Sequence, residues 1–499
     1  MNVTRRDFFG LAAAAGVASA GCGRVARRLA GGQQPDAPLP QGDVRPIARF
    51  LNRVAFGAAP GDPARVASIG ISAYVDDALM AKESEDPALQ VRLASLDVLN
   101  LDALELSDLK EEAVVRQLQQ AALLRAVYGR NQLHERMVDL WTNHFNIYSR
   151  KHYGAYYMAV DQLKVVRAHA LGKFPDLVRA SAHSPAMLNY LDNQVNRKGV
   201  PNENYARELM ELHTLGVHGG YTQHDVREVA RCLTGWTIET RFLHPKGRFR
   251  FDPGLHDNAS PKRVLGTTIP TVKDPAAEVE WNGQRIPAGQ LAGERVLDIL
   301  ANHPATAHFV ASKLCRYFLG GEKREWVDRV ASIYRQTGGE IRSMLRPILA
   351  SQELLDSPPI AKRPFDFVAS GMRALGAETD AGPAVLQHLD QMGQGLYEWP
   401  MPDGYPDKVS AWTGSMLARW NFAFEVATIG LRGTQVDWAA YGGGVDPSDR
   451  AIERFLASKR LPNRGLYKRL NEHVQGMEPE RALRETAALC LASPEFQWR

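Results

Sequence analysis

NENYARELMELHTLG, residues 202–216, carries the periodicity on which the fold reading turns. Asn202 is a good N-cap and Gly216 a good stop, so the spacing predicts a helix from Glu203 to Leu215. At about 100° per residue, Tyr205, Leu209 and Leu212 fall on one face and form a core stripe. Asn204, Glu208 and Glu211 share a second face roughly 90° away, and His213 lies near Ala206 and Met210, almost opposite the glutamates. Two carboxylates one turn apart suit a coupled acid/base pair or a shared metal site. They equally suit a solvated face held by Glu203–Arg207 and Arg207–Glu211 pairs.

The same helical spacing extends outward in both directions. Glu111 to Tyr128 is amphipathic, and Met137, Leu140, Trp141, His144, Phe145 and Tyr148 follow as a second core-facing stripe. Ser184-Pro185 opens a short helix to Leu191, and Thr222 or Asp225 opens one that ends near Gly235. Further helices are expected over Gly293–Leu319, Trp326–Thr337 and Ile341–Ala350, with a helical pair near the end of the chain. Between about residues 241 and 292 the texture changes to short alternating pieces such as Arg248-Phe249-Arg250-Phe251 and Val279-Glu280-Trp281 among Pro, Gly and Asp. Residues 376–445 read as loop-rich. The expected fold is mainly α, a multi-helix orthogonal or bundle-like body over 44–499 with a small loop- and strand-containing insertion.

The N-terminal residues read as an address. Thr4-Arg5-Arg6-Asp7-Phe8-Phe9 precedes a short apolar run to Ala20, the pattern of a twin-arginine-type signal peptide over 1–21. Ser19-Ala20-Gly21-Cys22 is similar to a lipobox, which makes Cys22 a lipidation candidate, and residues 22–43 form a Gly-, Gln- and Pro-rich tether. The expected location is therefore the periplasm, an outer-membrane lipoprotein or the extracellular space. Four Cys with no CxxC pair exclude a disulfide scaffold and a Cys-rich zinc site. A net charge of +4, from 60 Lys plus Arg against 56 Asp plus Glu, is too mild for a nucleic-acid footprint. Past residue 21 no apolar run approaches the roughly 18 residues a membrane span needs.

Polar residues inside helical patterns mark the candidate site. His144 sits within the stripe of Met137, Trp141 and Tyr148, where a neutral imidazole needs a partner for each nitrogen. Asp192-Asn193 ends the next helix, and His256-Asp257 lies in the loop-rich segment. Trp399, Tyr405 and Trp412 offer aromatic surface to a sugar or peptide. HExxH, a Gly-x-Ser-x-Gly elbow, a P-loop and a Rossmann glycine pattern are all absent.

The segment PNENYARELMELHTLGVHGGYTQHDVREVARCLTGWTI (201–238) resembles the signature of the bacterial family known as domain of unknown function 1800. WTNHFN at 141, PAMLNYLDN at 185, HDNASPKRVLG at 256, KRPFDFVASGMRALGA at 362 and DGYPDKVSAWTGSMLARWNF at 403 are similar in order. The resemblance covers nearly everything past the tether and implies an exported, mainly helical protein without supplying a mechanism. Asn143, Asn202, Glu203 and His213 also fall in these segments.

The functional expectation is a bacterial envelope enzyme, with Glu208, Glu211, His144 and Arg207 as catalytic residues. His144, Asp192, Glu208 and Glu211 would hold a divalent metal, and Asn204, Asn193, His256, Asp257, Trp399 and Tyr405 would bind substrate. Hydrolysis of an extracellular polymer or ester is preferred over metal-dependent redox chemistry. The alternative is a non-catalytic protein that binds a polymer or another envelope protein.

Overall fold

A computed structural model describes residues 45–81, 87–241, 247–439 and 464–499. The stretches read as a signal peptide and a tether, with the lipidation candidate Cys22, lie outside the described residues.

The fold is mainly α, with strands confined to small two-stranded antiparallel pairs among the described residues. Helix α1 (Glu111–Tyr128) ends where its periodicity ends, and Asn131 caps α2 (Gln132–His144) by accepting from the His134 amide. Helix α3 (Pro185–Tyr190) begins with Pro at its first position, where the missing N–H costs nothing. Asn202 caps α4 (Glu203–Glu208), and Thr222 with Asp225 forms a capping box on α5 (Gln223–Cys232).

Among the described residues, five strands fall between residues 241 and 292, where alternating pieces are expected, whereas Trp236–Ile238 precedes that stretch and Glu378–Thr379 pairs with Thr434–Gln435 beyond it. β1 (Trp236–Ile238) pairs with β2 (Phe249–Phe251), β3 (Lys262–Val264) with β4 (Thr267–Ile269), and β5 (Glu278–Trp281) with β6 (Gln284–Pro287). The stretch expected as one helix over Gly293–Leu319 is two, α6 (Leu291–Ala301) and α7 (Pro304–Leu319). Pro304 drives the residue before it out of the α region, and the His303 ring instead caps α7. Helices α8 (Arg324–Thr337), α9 (Ile341–Leu349), α10 (Pro364–Ala374), α11 (Pro383–Gln391), α12 (Met416–Phe424) and α13 (Pro479–Ala492) complete the body used below. The segment read as loop-rich thus holds two helices, α11 and α12.

A continuous apolar core links these elements, from Phe50 and Leu51 through Trp141, Trp236 and Phe318 to Leu491 and Phe496. It positions the site by fixing α2, α3 and α4 against one another. No helix among the described residues is long and apolar enough to cross a membrane.

Candidate functional site

Helix α4 does not continue as an ideal helix. After Glu208 it widens into a π-helical turn over Leu209–Thr214, in which the Leu215 amide bonds the Met210 carbonyl and the Thr214 hydroxyl bonds the Leu209 carbonyl. Such turns change the angle between successive side chains and recur at functional sites. Leu212, placed in the core stripe by ideal geometry, is only half-buried, whereas Tyr205, Leu209 and His213 are at most 1% exposed. Gly216 then closes the segment at φ +80°, and a Cβ there would lie 2.9 Å from the Phe309 ring.

Glu208 and Glu211 remain half-buried on the outer face of this segment. Glu208 forms no ion pair among the described residues; burial, then the charges of Glu211 and Asp403, raise its carboxyl above the ordinary range, with Arg207 opposing. The Tyr221 hydroxyl donates to Glu211 Oε2 at 3.3 Å. Tyr190, from α3, donates its hydroxyl to the Pro400 carbonyl at 2.7 Å, and burial together with Glu208 and Asp403 pushes its phenol up. Three carboxylates from two distant segments therefore act on one another beside two phenols.

The loop that brings Asp403 is clamped by α2 and the turn after it. Asn143 Nδ2 donates to the Tyr405 carbonyl at 3.0 Å while its Oδ1 accepts from the Tyr405 amide at 2.7 Å. Asn146 Nδ2 donates to the carbonyls of Trp399 and Met401 at 3.0 and 2.7 Å. Trp399 donates its indole N–H to Asp403 at 3.2 Å and remains partly exposed. Tyr405 is 8% exposed and its hydroxyl is bound to the Gly395 carbonyl, so it does not present the open face expected for substrate. Trp412 is 6% exposed, its indole N–H on the Pro406 carbonyl.

The other sequence-derived site residues are dispersed. His144 faces inward: its Nε2 meets the main-chain oxygen of His213 at 3.1 Å, its Nδ1 has no partner, and the rings of Trp141, Phe145 and Phe174 surround it. Burial and the nearby Lys313 charge hold its pKa far below the imidazole range. His213 is pushed down to about 3 by burial, then Lys313, and both its ring nitrogens are unpartnered. Asp192, at φ 61°, accepts from Lys151 Nζ at 2.7 Å, and Asn204 donates to the Leu191 carbonyl at 3.2 Å. Asn193 is fully engaged: Nδ2 bonds the carbonyls of Leu233 and Trp236, and Oδ1 accepts from Asn196. It faces no cleft.

Arg207 donates to Glu203 and Gln223, and to neither Glu208 nor Glu211. His256 is 3% exposed; its Nδ1 bonds the Thr234 carbonyl and its Nε2 faces Lys262 Nζ at 3.4 Å. Asp257 accepts from Arg231 through both oxygens, fixing the start of the β3 hairpin. Among the described residues no group of three or more His, Cys, Asp or Glu is disposed to hold a metal ion. The donor set His144, Asp192, Glu208 and Glu211 is thus not assembled as one centre, because His144 points into an aromatic core and Asp192 is tied to Lys151.

Asp403, Tyr190 and Tyr221 escaped the sequence reading. The nearest signal was their position within or beside the same motif-dense segments, since no periodicity links residue 403 to residue 208.

The profile of one protein family matches residues 49–498, nearly the whole chain, described as "Protein of unknown function (DUF1800)". The chain belongs to that family. No curated protein and no solved structure matches it. Within this DUF1800 chain, the family-like segments WTNHFN, PAMLNYLDN, NENYARELMELH and DGYPDK supply Asn143 and Asn146, Tyr190, Glu208 and Glu211, and Asp403, the members of the carboxylate group and its clamp.

Proposed function

We propose that this DUF1800 protein is an exported envelope hydrolase acting on an extracellular polymer by carboxylate acid/base chemistry. One observation carries the reading: Glu208 is a half-buried carboxyl without a cationic partner, kept prone to hold its proton by burial and by Glu211 and Asp403. In a pair whose environments pull the two carboxyls apart, the raised member donates and the ionised member accepts. Glu208 would protonate the leaving oxygen while Glu211, hydrogen-bonded by Tyr221, takes a proton from the attacking water. The scissile bond breaks and water adds across it, after which Glu211 gives its proton to solvent and Glu208 takes one up, restoring the starting state. Trp399 is the partly exposed aromatic that could lie along a sugar ring. Export rests on the Arg5-Arg6 signal pattern.

The test is release of soluble fragments from cell-wall glycan, glucan and polyester substrates by the mature protein and by Glu208→Gln. Activity in the parent with a loss of about 100-fold or more in the variant, at unchanged fold, is expected. Equal activity in both, or no turnover of any polymer by the parent, sinks the reading.

A further inference from the structure

Away from the carboxylate group, the fold buries more positive charge than it neutralises. Arg53, Arg136, Lys362, Arg363, Arg419 and Arg499 gather between α2, α7 and the start of α10, where Asp139 and Asp366 are the buried carboxylates and Asp407 acts on Arg363 from the cluster's edge. Arg136 is 0% exposed. Its guanidinium lies over the rings of Phe56 and Tyr317, 4.6 and 4.8 Å from their centroids, and gives one N–H to Asp366. Arg499 covers the same Tyr317 ring at 4.6 Å. Nε and NH2 of Arg136, and Nε and NH1 of Arg499, are buried with no acceptor.

The remaining cations do not relieve this. Arg363 shares Asp139 and Asp366 with its neighbours, and the Tyr317 hydroxyl also donates to Asp139. Arg53 and Arg419 bond neutral oxygens, including the carbonyls of Phe318 and Lys362. Lys362 Nζ sits 3.6 Å from the centre of the Phe496 ring. Six cationic side chains thus face three carboxylates, Asp139, Asp366 and Asp407. Burying charge without a counter-charge is expensive, and unmade hydrogen bonds on buried guanidinium groups add to the cost.

We infer that Arg136 and Arg499, whose guanidinium groups both lie over Tyr317, form a binding site for a small tetrahedral oxyanion, phosphate or sulfate. Four N–H donors on two guanidinium planes match such an anion better than a spherical halide, because the guanidinium fork suits paired oxygens. A partly open cavity lined by Phe56, Asp139 and Arg363 borders the cluster. Burial and the surrounding cations also depress Lys362 to about 7 and Arg499 to about 10, the strain an anion would relieve. The site is independent of the proposed hydrolase activity.

Ion chromatography of the acid-denatured, desalted protein should recover about one equivalent of phosphate or sulfate, since a ligand bound only to the native state survives desalting when tight. If the ion is lost in purification, phosphate titrated at fixed ionic strength should raise Tm saturably. The midpoint should move at least about tenfold higher in Arg499→Gln, which removes one of the two forks. Should that variant not fold, Lys362→Met replaces it. No retained oxyanion together with a Tm that follows ionic strength alone overturns the inference, as does an identical titration in parent and variant.

Discussion

The side chain of Asn143 grips the backbone of Tyr405 at both its amide and its carbonyl, 262 positions along the chain. Together with the bonds from Asn146 to Trp399 and Met401, this contact holds the loop that carries Asp403. Gly404 makes it feasible: at φ +77°, a Cβ would stand 2.2 Å from the Asn143 carbonyl oxygen. Gly404→Ala should therefore cost about 2–4 kcal/mol in urea denaturation, and Asn143→Leu about 1–3 kcal/mol. A cost below about 0.5 kcal/mol for both would mean the loop is held elsewhere.

The pH dependence of the proposed hydrolysis should report the carboxylate group. Glu208 must be protonated to act, so its raised pKa sets the basic limb of the pH–rate profile. Asp403→Asn removes a negative neighbour and leaves both proposed catalytic carboxyls in place, so it should move Glu208 downward and shift that limb to lower pH. If Asp403→Asn leaves the limb in place, Asp403 does not act on Glu208.

Stability should show a second, separable pH effect from Asp161. Burial raises this carboxyl to about 7 against the opposing hydrogen bond from Ser184, whose hydroxyl lies 2.5 Å from Oδ1. Between about pH 4 and 7 the native state holds a proton that the unfolded chain has released, so stability falls as pH rises through that window and is flat above it. Asp161→Asn should abolish this fall and be the more stable protein at pH 8 by about 2 kcal/mol or more. Parallel pH curves for the two proteins would refute the assignment.

His213 should act in the opposite sense. Its folded-state pKa, near 3, lies below the unfolded value of about 6.5, so the unfolded chain binds the extra proton between them. Stability should rise with pH across that window and be lost as pH falls through it, by up to about 1.4 kcal/mol per pH unit. In an Asp161→Asn background the buried His144 and His256 add slopes of the same sign, and His213→Gln should lessen the total by its own share. A slope left unchanged by the substitution would assign the acid sensitivity to His144 or another group.

Export should depend on Arg5 and Arg6 together, because the twin-arginine receptor reads the pair. With both replaced by Lys, fractionation should find the precursor in the cytoplasm. Normal export of that variant would place the protein on the general secretory route.

Much of this protein was determined by local sequence. The boundaries of the Glu111–Tyr128 helix, the Asn202 and Thr222 caps, and the Phe249–Phe251 and Glu278–Trp281 strands follow from periodicity, capping chemistry and turn residues acting within a few positions. Glu208 and Glu211 share a face for the same reason, since one helical turn places them side by side. What required the tertiary structure was every relation across the chain. The π turn after Glu208 depends on packing around Leu209–Thr214, so ideal angles misplace Leu212. His144 and Asn193 look alike in sequence, as polar residues in apolar patterns, yet each is consumed by interior partners that only folding supplies. Asp403 reaches Glu208 through hydrogen bonds made by Asn143 and Asn146, and the excess charge around Tyr317 exists only where residues 53, 136, 362 and 499 converge. Periodicity is a property of neighbours, whereas a site made from distant loops is decided by which buried polar groups find one another.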